Sequence, residues 1–503
     1  MYDSASQCWM KLSGIKQSLL TRTERYASLT IPKICLPTGF QPESTDQTHD
    51  YQSIGAQAVN HLTNKIMLAL FAPSRPFFRV QAGEKTEAQL QQAGVAPGDV
   101  ATILAALERK ATKELDSRAQ RPKLYAIMRH LIITGNVLMV LEEKSLRVMG
   151  IRYFCVKRDS KGELHTLVIK ETIKFDELEE DVRSVLVGKY HPDAEVSHYK
   201  LIRRLPSGDY GMSQWVDETR LPTEFDGKWP ADRLPYRVLT WDLADESDYA
   251  TGLVEEYAGD LEAMSILAES VVDGAVLGSE YRWLVNPTGQ TSADDLNQSK
   301  NGDAIAGKPE DIQPTQGGNP NAITVADNVL QRYERRIALG FLMQAGVTRD
   351  AERVTAEEIR LTANELETAF GGVYSTLANG IQTPIANWLL DAVGADLNGT
   401  DLRVAIITGL DALSRNGDLE NLRMAFSDFA QLINVPEQLL ARIKFTPLAK
   451  FVGDGRGIDL MPFIKSDEEF SQEQAQMQQA RVAEASATAV GEEAAAAQAQ
   501  GTA

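Results

Sequence analysis

The chain reads as an α+β protein, mostly helical and built from elongated parts. Three observations predict this. Stretches near 99–119, 252–275, 323–343 and 354–392 carry apolar residues at steps of three and four, the helical period. Segments rich in Val, Leu and aromatics, the composition of strands, are concentrated in the first half, from Val137 to Trp241. A polar insert rich in Gly, Asn, Asp and Gln, residues 281–322, separates two of the long helices.

Taken in order, residues 1–30 form an amphipathic helix with Lys11, Lys16, Arg22 and Arg25 on its polar side, and Pro32, Pro37 and Pro42 turn the chain into loop. Asp50 to Ala56 leads into a helix with Val59, Leu62, Ile66 and Leu70 on one face, closed near Ala72 by Pro73. Residues 82–98 read as a surface excursion, followed by helices at 99–119 and 122–134. Val137 to Leu141 and Leu146 to Val156 read as strands, and Asp159-Ser160-Lys161-Gly162 turns the chain into a third, Leu164 to Ile169. The acidic Glu177, Glu179, Glu180 and Asp181 read as a solvated helix face. Further strands at 196–205, 210–217 and 235–241 complete an antiparallel sheet.

From Gly252 the period changes. Val254, Tyr257, Leu261, Met264, Ala268, Val271 and Ala275 form a heptad-like stripe suited to packing against neighbouring helices, with Glu255, Glu256, Asp260 and Glu262 opposite. Residues 281–322 are loop with short strands. A second helix runs from Ile323 to Met343 with Val329, Tyr333, Ile337 and Phe341 four apart, so the two helices make a hairpin with an elaborated tip. A polar loop, Thr348 to Arg353, precedes a helix start at Thr355, whose side chain and that of Glu358 can cap each other's backbone N–H; losing such a cap costs about 1 kcal/mol. Ile359, Ala363, Leu366, Phe370, Val373, Leu377, Ile381, Ile385 and Leu389 continue on one face for roughly 38 residues, about 55–60 Å of helix. Gly371, Gly372 and Pro384 lie inside it and predict kinks. Leu402 to Ile407 reads as a strand and Leu419 to Ile433 and Glu437 to Lys444 as helices. Residues 466–503, rich in Gln, Ala and Glu, cannot bury enough apolar surface to fold alone and read as disordered or a solvated helix.

Composition bounds the function. The 503 residues carry 70 acidic and 51 basic side chains, a formal charge of −19. Such a surface does not wrap nucleic acid, because phosphate neutralisation needs Lys and Arg. It suits solubility, or a wall along which DNA slides without sticking. The longest apolar stretch, Leu131 to Leu141, is broken by Thr134, Gly135 and Asn136 and falls short of the ~20 residues of a membrane span. No apolar run follows the N-terminal Lys and Arg residues, so no secretory signal is read. Cys8, Cys35 and Cys155 offer neither a disulfide framework nor a metal-ligand spacing, and the histidines form no metal motif. A soluble intracellular protein without a structural metal is expected.

One enzymatic motif needs weighing. Gly302 to Lys308 fits the first seven places of a phosphate-binding P-loop, but Pro309 stands where a Ser or Thr should hold Mg²⁺ and open a helix. Gly453 to Gly457 has the wrong spacing for a dinucleotide site and reads as a flexible turn. Asp294 and Asp295 read as solvated loop. No catalytic residues, no cofactor and no metal are assigned.

Several blocks are more specific than their periodicity. They are Ile54 to Phe71, above all Asn64-Lys65-Ile66-Met67-Leu68-Ala69-Leu70-Phe71; Val254-Glu255-Glu256-Tyr257 to Leu261; Leu284 to Gly289; and Gly307-Lys308-Pro309-Glu310-Asp311-Ile312. The strongest is Glu352 to Arg360, followed by Leu366-Glu367 and Gly371-Gly372-Val373-Tyr374-Ser375. In these the chain, over roughly residues 1–465, resembles the portal (head-to-tail connector) proteins of short-tailed phages. The resemblance implies a wing (1–251), a stem helix (252–280), a clip (281–322), a second stem helix (323–344), a tunnel loop with the long kinked helix and returning strand (345–415), a crown (416–465) and a tail (466–503). It implies a ring of about twelve copies at one capsid vertex that nucleates head assembly. Its implied partners are other copies of itself, double-stranded DNA in the channel, terminase, major capsid and scaffolding proteins and tail tube (adaptor) proteins, with no membrane. The implied location is the virion, with host cytoplasm during assembly. Thr348, Arg349, Asp350, Glu352 and Arg353 would face the channel. Trp283, Asn286, Pro287, Lys308, Glu310 and Asp311 would dock terminase or tail. Val254, Tyr257, Leu261, Met264 and Val271 would meet neighbouring subunits. Readings of other classes are a nucleotide-binding motor component built on Gly302 to Lys308, and an α-rich scaffold that never touches DNA.

Overall fold

The computed structural model describes residues 4–37, 39–40, 50–72, 76–83, 97–279, 281–316, 320–343, 362, 365–395 and 402–406. All belong to the first of two compact units, Met1–Gly409, the second being Leu410–Ala503. The expected helices at Leu419 to Ile433 and Glu437 to Lys444, the capping box of Thr355 with Glu358, and the tail lie outside the described residues.

The protein is a mixture of helix and sheet. Helices α1 (Ala5–Ser28) and α2 (Ile54–Leu70) precede strand β1 (Phe78–Ala82). Helices α3 (Pro97–Ser117) and α4 (Arg121–Thr134) lead into β2 (Asn136–Leu141) and β3 (Leu146–Met149). Then come β4 (Phe154–Arg158), β5 (Leu164–Lys174), the short α5 (Glu180–Val185), β6 (Glu195–Arg204), β7 (Tyr210–Val216), β8 (Thr219–Arg220), β9 (Gly227–Trp229) and β10 (Tyr236–Thr240). Helix α6 (Leu253–Ser279), β11 (Tyr281–Val285), α7 (Ala293–Gln298), β12 (Ile312–Gln316) and α8 (Pro320–Gly340) follow. The described part ends with α9 (Gly372–Leu377), α10 (Thr383–Ala392) and β13 (Leu402–Ile406).

One antiparallel sheet is expected, and the described strands form four sheets, all antiparallel. The largest runs β4-β5-β6-β7-β8 with β9 also on β7, and a second runs β10-β2-β3. β11 pairs with β12, and β1 pairs with β13, placing Val80 opposite Val404. The single strand expected from Leu146 to Val156 is divided by a 3₁₀ turn at Ile151–Tyr153. The cause is Lys16, which is not on a solvated face. It is 1% exposed, and its Nζ donates to the carbonyls of Ile151 and Phe154 at 2.7 and 2.6 Å, turning the chain from one sheet to another.

The core gathers around α2 and α4. Leu62, Ile66, Leu124, Ile127, Leu131 and Leu138 are buried with Val254, Leu261, Ile337, Phe341, Ile385 and Leu389, so one cluster joins both ends of the described chain. α1 covers one face of the large sheet through Cys8 and Leu12 against Val168 and Leu201. The acidic Glu177, Glu179, Glu180 and Asp181 are exposed, above Phe175, Leu178 and Val182, which are buried.

The helical run expected beyond Gly346 is divided in its described part. Residues 365–370 are helical, and Gly371 then takes φ +52°, ψ −126°, open to glycine and costly for other residues. α9 restarts the helix, residues Ala378–Gln382 form a π turn, and α10 follows with Pro384 in its first turn. Pro384 has no N–H to give Gly380, and the wider turn before it absorbs that missing bond.

Candidate functional site

Helices α6 and α8 lead away from the core packed on each other. Near the core they are locked. Tyr257 meets Phe341 edge to face, ring centroids 5.2 Å apart, and a Cβ on Gly340 would stand 2.1 Å from the Tyr257 hydroxyl, so only glycine lets the helices close there. Arg336 pairs with Asp260, and α1 ties in through Arg22 to Glu255 at 2.6 Å and Arg25 to Glu262. Beyond Ser265 the pair bears a different surface. Ile266, Val272, Val276 and Leu277 on α6 and Val325 on α8 are exposed large apolar residues.

The tip between the helices is a small fold held by one carboxylate. Below the β11–β12 ladder, Asn286 N–H donates to the Asp311 carbonyl at 2.9 Å. The Asp311 side chain, 9% exposed, accepts from Gln290 N–H at 2.9 Å and from the Thr291 hydroxyl at 3.2 Å. Thr291 in turn accepts from Lys308 N–H at 3.0 Å. Two glycines make room: a Cβ on Gly289 would lie 2.5 Å from the Asp311 carboxylate, and one on Gly307 2.3 Å from the Thr291 hydroxyl. Asn286 closes its own turn onto Thr288 N–H at 3.1 Å. Trp283 and Leu284 are exposed, 57% and 58%. The segment Gly302 to Lys308 follows α7, not a strand, and runs into a 3₁₀ turn, Pro309–Asp311. That is not the strand–loop–helix arrangement a phosphate cradle needs.

At the other end of α8 the chain turns sharply. Met343 N–H bonds the Ala338 carbonyl at 2.7 Å and Leu342 N–H the Leu339 carbonyl at 3.1 Å, the Schellman pattern. The left-handed position of that cap is usually glycine, and here it is Leu342, φ +55°. Its carbonyl accepts from two side chains of α2, Lys65 Nζ at 2.8 Å and His61 Nε2 at 3.2 Å. Lys65 Nζ also pairs with Glu365 at 2.8 Å. Burial, then the charge of Lys65, pushes the His61 pKa down, which favours the neutral ring, and the carbonyl can only accept, so this contact needs the proton on Nε2.

Of the residues expected from sequence, Thr348, Arg349, Asp350, Glu352, Arg353, Thr355 and Glu358 lie outside the described residues. Trp283, Asn286, Pro287, Lys308, Glu310 and Asp311 gather at the tip, and Asp311 is inside it. Val254, Leu261 and Met264 are buried in the chain's own core, Tyr257 meets Phe341 edge to face, and Val271 is half-buried. Gly371 breaks the helix and Gly372 is exposed. Sequence reasoning missed His61, Lys65, Leu342 and Glu365. The available signal was a His and a Lys four apart on one side of an amphipathic helix, without any sign of the distant carbonyl and carboxylate they meet.

A family model described as bacteriophage head to tail connecting protein matches residues 2–463. The portal protein of Enterobacteria phage SP6 is 33% identical over 483 residues, covering 94% of this chain and 92% of its own length. That of Escherichia phage T7 is 31% identical, covering 94% and 90%, and that of Pseudomonas phage phiKMV is 31% identical, covering 97% and 96%. Among solved structures, one titled the neck of a native gene transfer agent particle is similar at 12% identity and a TM-score of 0.35, over 76% of this chain and 99% of that one.

Proposed function

The chain belongs to the bacteriophage head-to-tail connecting protein family, and from that premise we propose that it is the subunit of a portal ring of about twelve copies at one capsid vertex. The ring is the conduit for double-stranded DNA in packaging and ejection. It docks terminase first and tail adaptor proteins afterwards, within a shell of major capsid and scaffolding proteins. It sits in the virion and passes through host cytoplasm during assembly. Its work is structural, and ATP hydrolysis belongs to the terminase. The observation that carries this reading is the extent of the family match, residues 2–463.

In this reading residues 1–251 and 345–415 make the wing, 252–280 and 323–344 the stem, 281–322 the clip, 416–465 the crown and 466–503 a tail. Tip residues Trp283, Asn286, Pro287, Lys308 and Glu310 meet terminase or tail, with Asp311 holding them in shape. Thr348, Arg349, Asp350, Glu352 and Arg353 face DNA in the channel. The surface between copies is drawn by Ile266, Val272, Val276 and Leu277 with Val271 and Tyr257 at its edge, while Val254, Leu261 and Met264 fix the helix from beneath. Exposed apolar residues so spaced on one helix suit a neighbouring subunit.

Light scattering after gel filtration tests the ring. The expected mass is about twelve to thirteen subunits. The double substitution Ile266→Glu with Val276→Glu is expected to yield smaller species with an unchanged circular dichroism spectrum. A wild-type protein that stays a 55.3 kDa monomer at micromolar concentration overturns the ring.

A further inference from the structure

We propose that Lys65 is a positioning residue that ties together the two chain ends flanking residues 344–361, and so sets from α2 where that segment starts and finishes. The proposal rests on the reading of Thr348 to Arg353 as the DNA-facing loop for its functional meaning, but not for its geometry. One end is Leu342, whose carbonyl accepts from Lys65 Nζ at 2.8 Å; the other is Glu365, whose carboxylate meets the same Nζ at 2.8 Å. One ammonium group therefore bridges residues 23 positions apart, the difference between 365 and 342.

Three features make this a built junction. The Lys65 side chain is 11% exposed and that of Glu365 30%, so salt and water screen the pair less than they screen a surface pair. Leu342 occupies a backbone region that non-glycine residues enter at a cost, and such conformations persist where surroundings over-determine them. The over-determination is visible: two Schellman bonds on one side of Leu342, and two donors, His61 and Lys65, on its carbonyl. His61 and Lys65 stand one helical turn apart on α2, which is buried in the core along its neighbouring flank through Leu62 and Ile66, so the clasp is mounted on a rigid element.

The test uses assembled rings of the full chain. Lys65→Met keeps the length of the side chain and removes its charge and donors. Trypsin cleavage after Arg349, Arg353 or Arg360, located by mass spectrometry, is expected to quicken at least tenfold in Lys65→Met. It should stay within twofold of wild type in Lys65→Arg, which keeps both bonds available. Glu365→Gln, a change at the more exposed partner, is expected to give an intermediate rate and covers the case in which Lys65→Met does not assemble. Cleavage as slow in Lys65→Met as in wild type overturns the clasp, and so does wild-type cleavage in Glu365→Gln if Lys65→Met forms no rings. A second arm measures genome leakage from filled heads before tail attachment. Faster cleavage with leakage supports both the clasp and the DNA-facing loop. Faster cleavage with normal retention leaves the clasp standing and removes the loop's DNA-holding role.

Discussion

Two residues show how burial and chemistry decide what a side chain does. His130 lies on α4 with its Nδ1 buried and without a hydrogen-bond partner among the described residues, and burial pushes its pKa down to about 4 from 6.5. The folded protein therefore holds this ring neutral, whereas the unfolded chain protonates it first as pH falls. The stability it supports is whole above pH 6.5 and is lost toward pH 4, by up to about 2 kcal/mol at pH 5. Thermal scans at pH 7 and pH 5 should show a larger fall in Tm for wild type than for His130→Gln. Lys16 makes the complementary case. Its substitution by Met would leave the carbonyls of Ile151 and Phe154 buried without their donor, at about 1–3 kcal/mol each. Urea unfolding of Lys16→Met should show that loss, and a midpoint equal to wild type would mean water replaces the ammonium. Lys16 was illegible in the sequence because helical periodicity places a cation on the polar face, and only the crossing of the chain at Ile151 turns that face into an interior.

At the scale of elements, local pattern was a good guide and long-range pairing was not. The heptad-like stripe from Val254 gave α6, and the four-residue spacing of Val329, Tyr333, Ile337 and Phe341 gave α8, because each helix writes its own buried face. β1 was missed: Phe78–Ala82 is five residues long, and its partner Leu402–Ile406 lies on the far side of the sequence. The insert between the two helices was legible, but the arrangement that holds it was not, since Asp311, Gly289 and Gly307 acquire meaning only when distant turns meet. Gly307→Ala is expected to drive its Cβ into Thr291 and open the bonds from Lys308 and Gln290. Hydrogen exchange should then rise across 281–316 while α6 and α8 keep their protection and the ring its mass. If exchange stays at the wild-type rate, the tip has room that the geometry denies it.

For the molecule as a whole, the mixture of helix and sheet and the family were legible, whereas the joint contact of Leu342 and Glu365 with Lys65 on α2 was not. Deleting Thr348 to Ala351 is expected to spare ring assembly and the start of packaging and to impair retention of packaged DNA, read as leakage from filled heads. Normal retention would reject the holding role, and failure to form rings would make the loop structural. The pairing of β1 with β13 has a consequence of another kind, in time. A ribosome adding roughly 5–20 residues per second needs about 15–65 s to travel from Ala82 to Ile406. Through that interval the nascent chain carries an unpaired strand edge, and a chain that stops short of Leu402 never covers it. Closure of this two-stranded sheet thus reports that translation has passed residue 406, and prematurely ended subunits keep an open edge that marks them for aggregation.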